Sequence, residues 1–327
     1  MTMTQLGYQI PNFNYPNGSR ETLFEDVGDQ TLAAEASGFD TVFVMDHFYQ
    51  LPGIGNPDDY MLECYSLLAA LAARTSKIHL GSLVTGNTYR NPAFLAKTIT
   101  TLDVISGGRA LLGIGAGWFE LEHDALGFEF GTFTDRFEKL EEALQIILPM
   151  QEGERPSFSG KHYSVVDAIN EPQPLHKIPV MIGGGGEKKT LRMVAQYADE
   201  SNLICNREEI PRKLEVLEEH CGRLGRDRNE ICVSWLGFLG IAPTEEAAEV
   251  VRKEYWQSKG IDWDAADDDF KAMLTSRMVF GGPDQVKEQI QGLLDLGLDG
   301  LTLNMIPNGH DAEMVALAGE TLAPLFK

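Results

Sequence analysis

The sequence predicts an α/β fold, a (β/α)8 TIM barrel, from three observations. Eight short apolar runs of β-type residues alternate with longer helical patterns. Several runs are almost wholly apolar, as expected for parallel strands that are covered on both faces. The first run leads into Pro-Asn-Phe-Asn, not into the glycine-rich turn of a doubly wound dinucleotide-binding sheet, which is the main competitor. We therefore expect one barrel domain over residues 1–327.

The predicted strands follow one another in the order that a barrel requires. They are Leu6–Ile10, Thr41–Met45, Ile78–Val84, Ala110–Ile114, Val180–Ile182, Asn202–Cys205, Ile231–Phe238 and Gly300–Met305. Helix signals separate them: Gly38 ends the first helix, and Asn91 and Pro92 cap and open the third. Two segments do not fit the repeat. Residues 152–178 are typical of a small hairpin, and residues 243–281 of an insertion after the seventh strand, a candidate lid.

The composition excludes several classes of function. The chain has 27 Lys and Arg against 49 Asp and Glu, and its net charge of −22 disfavours nucleic-acid and membrane-surface partners. Its apolar content of 43% supports a large core, yet no apolar run is long enough for a bilayer. There is no secretory signal pattern and no Cys-x-x-Cys spacing among the four cysteines. We therefore expect a cytoplasmic protein with free thiols and no metal.

Asp46 and His47 end the second predicted strand, at the face of a barrel where active sites lie. A histidine beside a carboxylate can exchange a proton near neutral pH, with the carboxylate fixing its tautomer. A hydrogen-bonded structural histidine is the alternative, and the dipeptide alone does not decide between them. Glu120 and Glu122, after the fourth strand, form a second candidate pair, although such alternating acids are usually solvated.

Two other strand ends are rich in small residues, which let a flat ligand approach the backbone. Thr85, Gly86 and Asn87 follow the third strand, where an ordinary turn is the alternative. The fourth strand leads into Gly113-Ile114-Gly115-Ala116-Gly117-Trp118, and the tryptophan can pack against the ring system of a ligand. Glycines that permit a tight bend of the barrel are the alternative interpretation. The run is no dinucleotide fingerprint, because its third glycine falls one residue early.

The end of the fifth strand carries the strongest physical signal. The run Gly183-Gly184-Gly185-Gly186 leads directly into a helix, so free backbone N–H groups meet a positive helix end. Lys188, Lys189 and Arg192 follow, a cationic cluster in an acidic chain. These features predict an anion site, most simply for a phosphate, with a flexible turn beside a solvated helix face as the alternative.

Several stretches together carry a family resemblance. They are Asp46-His47, Leu80-Gly81-Ser82-Leu83-Val84 with Tyr89-Arg90-Asn91-Pro92, and Leu102-Asp103-Val104-Ile105-Ser106-Gly107-Gly108-Arg109. This combination resembles the luciferase-like monooxygenase superfamily. The glycine run that ends in Trp118, followed by Glu122-His123 and Leu126-Gly127, is similar to the branch that uses the deazaflavin coenzyme F420.

The resemblance implies a bacterial-luciferase-like barrel and an oxidoreductase that moves a hydride between F420 and a small organic substrate. It implies a cofactor ring backed by Leu83-Val84 through a non-proline cis peptide, phosphate held by the four glycines, and His47 as acid or base. Thr85, Asn87, Ala116, Gly117, Trp118 and Lys188 complete the expected cofactor site, and Asp46 and Glu122 the expected catalytic group. Related sugar-phosphate dehydrogenases have a catalytic glutamate where Trp118 stands here, which favours an aromatic or apolar substrate face.

Three other functions stay open on the sequence. One is an FMN-dependent monooxygenase that receives reduced flavin from a separate reductase. Another is a non-catalytic flavin- or phosphate-binding barrel, since a glycine-rich anion site needs no chemistry. A third is a barrel aldolase or isomerase, which the absence of an evident Schiff-base lysine at a strand end disfavours. Family members are often dimers, so the resemblance also implies a homodimer.

Overall fold

The strands that build the barrel are short and lie in regular succession along the chain. Over residues 3–326, the part of the chain that the computed structural model describes, the strands are β1 (Leu6–Gln9), β2 (Thr41–Val44), β3 (His79–Ser82), β4 (Thr85–Gly86), β5 (Ala110–Gly115), β6 (Phe158–Ser159), β7 (Ser164–Val165), β8 (Val180–Gly183), β9 (Glu200–Leu203), β10 (Cys232–Ile241), β11 (Met278–Gly281) and β12 (Gly300–Asn304).

Eight of these strands close into a parallel barrel, which confirms the predicted fold class. The order runs β12, β1, β2, β3, β5, β8, β9 and β10, and β10 pairs again with β12 to close the ring. Every pairing in the ring is parallel, and the register places Gly7 opposite both Thr302 and Thr41. β4 pairs with β5 and continues the path of β3.

Helices connect the strands around the outside of the barrel. They are α1 (Leu23–Ser37), α2 (Cys64–Arg74), α3 (Pro92–Ser106), α4 (Glu120–Leu126), α5 (Phe133–Gln151), α6 (Thr190–Tyr197), α7 (Ile210–Leu224), α8 (Glu245–Ser258), α9 (Asp268–Thr275), α10 (Pro283–Leu294) and α11 (Ala312–Leu322). The two predicted boundaries hold: Asn91 accepts bonds from the first N–H groups of α3, and Gly38 is left-handed with φ 103° after α1. Within residues 3–326, no helix has the length and apolarity needed to cross a membrane.

Apolar side chains fill two layers of the barrel. The larger core lies between the strands and the helices. A smaller cluster fills the inside of the ring; its members are Phe43, Leu83, Leu111, Met181 and Leu236. Leu83 and Leu236 also line the cavity at the mouth of the barrel, so this inner cluster forms the cavity floor.

The structure differs from the predicted strands in four places. The third strand is interrupted at residues 83–84, so its predicted end is a separate short strand, β4. The sixth strand begins at Glu200, two residues before the predicted start. The prediction missed Glu200 and Ser201 because they are polar, although both are buried. The seventh extends to Ile241, and β11 was not predicted at all. β11 is an apolar, buried run, but it lies inside the segment predicted as an insertion and pairs only with the distal half of β10.

The two segments outside the repeat have structures of their own. The predicted hairpin is confirmed, with β6 and β7 antiparallel and Phe158 opposite Val165. Residues 243–281 contain α8, α9 and β11, which share a small core; its buried members are Trp256, Trp263, Met278 and Phe280. Lys259 Nζ, just after α8, donates to the Gly53 carbonyl at 2.7 Å and so joins this segment to the loop after β2. The division of the chain into domains stays a prediction.

Candidate active site

The C-terminal ends of the barrel strands surround a cavity of about 930 Å³. Most of the predicted site residues line it; they are Asp46, His47, Leu83, Val84, Thr85, Ala116, Gly117, Trp118, Gly183, Gly184, Gly186 and Lys188. Asn87, Glu122 and Gly185 are not among the lining residues, and the side chains of Asn87 and Glu122 are fully buried. The fold therefore brings the predicted strand ends together at one face, as a barrel active site requires.

Leu83 and Val84 form part of the cavity floor. The peptide bond between them is cis, as the family resemblance implied. Val84 packs against glycines on two neighbouring strands: a Cβ added to Gly115 or to Gly183 would lie 2.8 Å from a Val84 methyl carbon. These two positions therefore accept no side chain unless Val84 moves, and the valine has a fixed place under the cavity.

His47 lies at the wall of the cavity, with one ring nitrogen held and the other free. Its Nδ1 lies 2.9 Å from Glu122 Oε2. The side chain is 12% exposed, and the ring edges of Trp118 and Phe119 pack against it at centroid distances of 5.8 Å. His47 Nε2 has no hydrogen-bond partner within residues 3–326. The histidine can therefore exchange a proton with a ligand through Nε2 alone.

Glu122 is a fully buried carboxylate at the start of α4, not the solvated acid of a loop that its sequence context favoured. It accepts bonds from the Phe48 and Tyr49 backbone N–H groups and from the Tyr89 hydroxyl at 2.6 Å, besides that of His47. Burial alone would raise the pKa of Glu122, but these donors hold it below its ordinary value. An ionised carboxylate only accepts hydrogen bonds, so His47 Nδ1 must carry its hydrogen.

Asp46 does not orient His47, which corrects the hydrogen-bond pairing expected from the Asp-His dipeptide. Its carboxylate takes a bidentate contact from Arg90, at 2.6 and 2.9 Å, and a third bond from the Gly86 N–H at 2.9 Å. Burial raises the pKa of Asp46, against the opposing effect of Arg90. The contacts of Asp46 tie the end of β2 to the loop after β4, so it supports the cavity wall.

Tyr89 was not predicted as a site residue, although it stands in a quoted motif. It lines the cavity, and its hydroxyl donates to the oxygen of Glu122 that also accepts from His47. Burial first, and then the bond to Glu122, raises the pKa of Tyr89, so the phenol keeps its proton. Spacing alone does not reveal such a contact, because Tyr89 and Glu122 are 33 positions apart.

The glycine run after β8 leaves backbone N–H groups open at the start of α6. Gly184 has φ 124°, which favours glycine, and its N–H donates to the Asn202 carbonyl at 2.9 Å. Within the described part of the chain, the N–H groups of residues 185–188 have no hydrogen-bond acceptor. His220 Nε2 lies 2.8 Å from the Glu187 carbonyl and steadies the loop from α7. Open N–H groups at a helix N-terminus form a site for an anion.

Four cationic side chains line the cavity without a carboxylate partner. Lys188, Lys189, Arg136 and Arg277 make no ion pair within 4.0 Å across residues 3–326. Lys189 Nζ lies 5.3 Å from the ring centroids of Phe133 and Phe137. Arg192, predicted as part of this cluster, instead binds Glu141 at 2.7 Å on the outside. Arg136 and Arg277 were missed because they come from α5 and from the insertion, far from the glycine run in sequence.

A group of metal-type side chains lies away from the cavity. Asp135, Glu138 and His162 offer ligand atoms within 4.8 Å of one another, although the sequence analysis predicted no metal site. Lys161 Nζ lies 3.2 Å from Asp135 and 2.8 Å from Glu138, so a single ammonium already bonds both carboxylates and offsets part of their charge. None of the four residues lines the cavity.

These features define the class of the protein: a parallel (β/α)8 barrel with a buried carboxylate–histidine pair, an apolar floor and a cationic glycine loop around one deep cavity. The profile of the luciferase-like monooxygenase family matches residues 4–300, and the chain belongs to that family.

The chain is also similar in sequence and in structure to proteins with a named activity. The chain is 31% identical over 307 residues to an F420-dependent glucose-6-phosphate dehydrogenase of Segniliparus rotundus, covering 86% of this chain and 88% of the relative. It is 27% identical over 334 residues to the enzyme of the same name from Microbacterium testaceum, covering 96% and 97%. Among solved structures, coenzyme F420-dependent tetrahydromethanopterin reductase from Methanopyrus kandleri aligns over 100% of both chains with a TM-score of 0.77 at 22% identity, which supports the fold.

Proposed function

We propose that this chain is an oxidoreductase that transfers a hydride between coenzyme F420 and a small organic substrate. The observation that carries the proposal is the Glu122–His47 pair, which holds Nδ1 of the imidazole and leaves Nε2 without a partner in the described chain at the wall of the cavity. The names of the relatives support F420 over other cofactors. We propose for His47, Glu122 and the cofactor residues that line the cavity the roles that the sequence analysis assigned to them, whereas the buried Asn87 has no cofactor contact in this proposal.

The residues of the cavity fit this cofactor. F420 combines a flat deazaflavin ring with a phosphate and a chain of glutamates. Leu83, Val84 and Leu236 offer an apolar floor for the ring, and the open N–H groups after β8 suit the phosphate. The four unpaired cations suit the further negative charge, which an acidic chain would otherwise repel.

When bound, F420 supplies a carbon that accepts or gives a hydride. His47 Nε2 takes the hydroxyl proton of an alcohol as the hydride leaves the neighbouring carbon, and it returns the proton in the reverse reaction. Glu122 holds the ring in the tautomer that this step needs, and it stabilises the imidazolium that results. The products of the oxidation are therefore a carbonyl compound, a reduced cofactor and a protonated His47.

The wall beside His47 favours a substrate with an apolar or aromatic face. Trp118 is 60% exposed although it lines the cavity, so a ligand can cover it. Leu51 and Ile54 reach the same cavity from the loop after β2, which the insertion holds through the bond from Lys259 to Gly53. We assign the insertion the role of a lid, because its Lys259 holds the loop that carries Leu51 and Ile54 to the cavity.

Anaerobic reaction mixtures test the proposal. Oxidised F420 with a panel of aromatic and aliphatic alcohols, and reduced F420 with the matching carbonyl compounds, are followed by the deazaflavin absorbance. We expect turnover that depends on His47, so His47→Gln binds F420 but loses about 10²–10⁴-fold in rate. Oxygen uptake with supplied reduced FMN, and no change in F420, would instead support the monooxygenase alternative.

Two finer expectations remain predictions. A homodimer is testable by sedimentation of the purified chain, and a cytoplasmic location by fractionation of cells that express it.

A further inference from the structure

Tyr89 is held rigidly at the wall of the cavity by aromatic neighbours. Its ring lies 4.7 Å from that of His123, 5.0 Å from that of Phe48 and 5.2 Å from that of Phe128, between centroids. Gly86 leaves the necessary space, since a Cβ there would lie 2.5 Å from the Tyr89 ring. The hydroxyl is therefore presented to Glu122 by a ring that has little freedom to turn away.

The Tyr89 hydroxyl and the His47 imidazole share one carboxylate oxygen of Glu122. Glu122 Oε2 accepts from Tyr89 at 2.6 Å and from His47 Nδ1 at 2.9 Å. The other oxygen, Oε1, is occupied by two backbone N–H groups, so neither donor can move to it. A second donor on the same oxygen draws charge from it and weakens its attraction for a protonated imidazole.

We propose that Tyr89 is a positioning residue that lowers the proton affinity of His47 through the carboxylate oxygen of Glu122 that they share. The hydroxyl reduces the negative charge that Glu122 Oε2 presents to the imidazole, while Glu122 still fixes the tautomer of His47. The inference rests on the proposed function only in taking His47 as the acid or base, since the titration of the imidazole is measurable without turnover.

Other titratable groups around the pair do not replace this effect. Asp46, the neighbour of His47 in the loop after β2, forms an ion pair with Arg90, and Arg90 also contacts Glu63. His123 on α4 bonds the Thr88 hydroxyl and the Phe119 carbonyl, and it contacts the Tyr89 ring without reaching Glu122. Within residues 3–326, the hydroxyl of Tyr89 is therefore the one side-chain hydroxyl that donates a hydrogen bond to Glu122.

The test is an NMR titration of the full chain with ¹³C-labelled histidine rings. The chain has seven histidines, so the His47 signal is assigned by its loss in His47→Gln. In Tyr89→Phe, which keeps the ring, we expect the titration midpoint of His47 to rise by about half a pH unit. With 3-fluorotyrosine at position 89, a more acidic phenol, the midpoint should fall. This second variant keeps the packing and decides the question if Tyr89→Phe does not fold.

Two comparisons show whether the effect passes through Glu122. In a Glu122→Gln background, Tyr89→Phe should cause no further shift, because the shared carboxylate is gone. Tyr197→Phe is the matched control, since it removes another tyrosine–glutamate contact, to Glu141, at 3.4 Å. An unchanged midpoint in both position-89 variants, or an equal shift in the Glu122→Gln background, would overturn the inference. If wild-type protein does not bind F420, the proposed function fails while this titration still judges Tyr89.

Discussion

His47 and Glu122 lie 75 positions apart in the chain, and Nδ1 of the histidine lies 2.9 Å from Oε2 of the glutamate. The histidine follows β2 and the glutamate lies in the first turn of α4, so the closed barrel is needed to bring them together. Asp46, the sequence neighbour of His47, is committed to Arg90 instead. The orientation of the His47 ring therefore depends on a carboxylate that is distant in the sequence.

Glu122→Gln tests this dependence. The amide oxygen can still accept from the Phe48 and Tyr49 N–H groups, but the amide nitrogen faces His47 Nδ1 and favours the wrong tautomer. We expect kcat to fall about 10²–10⁴-fold, with the F420 dissociation constant nearly unchanged. Steady-state kinetics and a fluorescence titration measure both. Asp124→Asn, an exposed acid on the same helix, is the control and should leave both values as they are. Full activity in Glu122→Gln would contradict the role of the pair.

Lys188→Gln combined with Lys189→Gln tests the cationic side of the cavity. Both lysines line it without a carboxylate partner in the described chain, so they are free to attract an anionic ligand. We expect the F420 dissociation constant to rise about tenfold at low salt, and the difference to shrink as salt is added. Lys287→Gln on α10 is the control. An unchanged F420 dissociation constant at low salt would contradict a role of the two lysines in cofactor binding.

Gly183→Ala tests the ring support. Its new Cβ would meet Val84 at 2.8 Å, so the valine has to shift into the cavity. We expect about tenfold weaker F420 binding and a loss of roughly 1–3 kcal/mol in the free energy of unfolding. Gly222→Ala on α7 is the matched control, because no heavy atom lies within 4 Å of its Cβ. The Gly222→Ala substitution should slightly raise the free energy of unfolding. Equal cofactor affinity in the two variants would count against the contact.

Glu200 predicts a pH dependence of stability. Burial raises the pKa of this carboxyl from 4.5 to about 7, and its Oε2 has no partner. Between these values the native state binds a proton that the unfolded chain has released, so the free energy of unfolding falls as pH rises and then levels off. The total change is about 3 kcal/mol. Denaturation at several pH values should show a flatter profile for Glu200→Gln than for wild type or the exposed Glu218→Gln. An unchanged dependence of the free energy of unfolding on pH in Glu200→Gln would contradict the raised pKa of Glu200.

Much of the fold and part of the candidate site could be predicted from local sequence patterns. Apolar runs reveal parallel strands because both faces of each strand are buried, and the glycine run reveals its loop because it precedes a helix directly. β11 was not predicted because its apolar run lies inside the segment interpreted as an insertion, and only the folded chain shows that it pairs with the end of β10. Glu122, Tyr89 and Arg277 acquire their places only when distant segments meet, which no spacing along the chain records.

The central claim, that the cavity holds F420, is tested most directly by parallel fluorescence titrations of the purified chain with F420 and with FMN. We expect F420 to bind at least tenfold more tightly, because the glycine loop and the unpaired cations suit its greater negative charge. Tighter binding of FMN, with no measurable affinity for F420, would contradict the account.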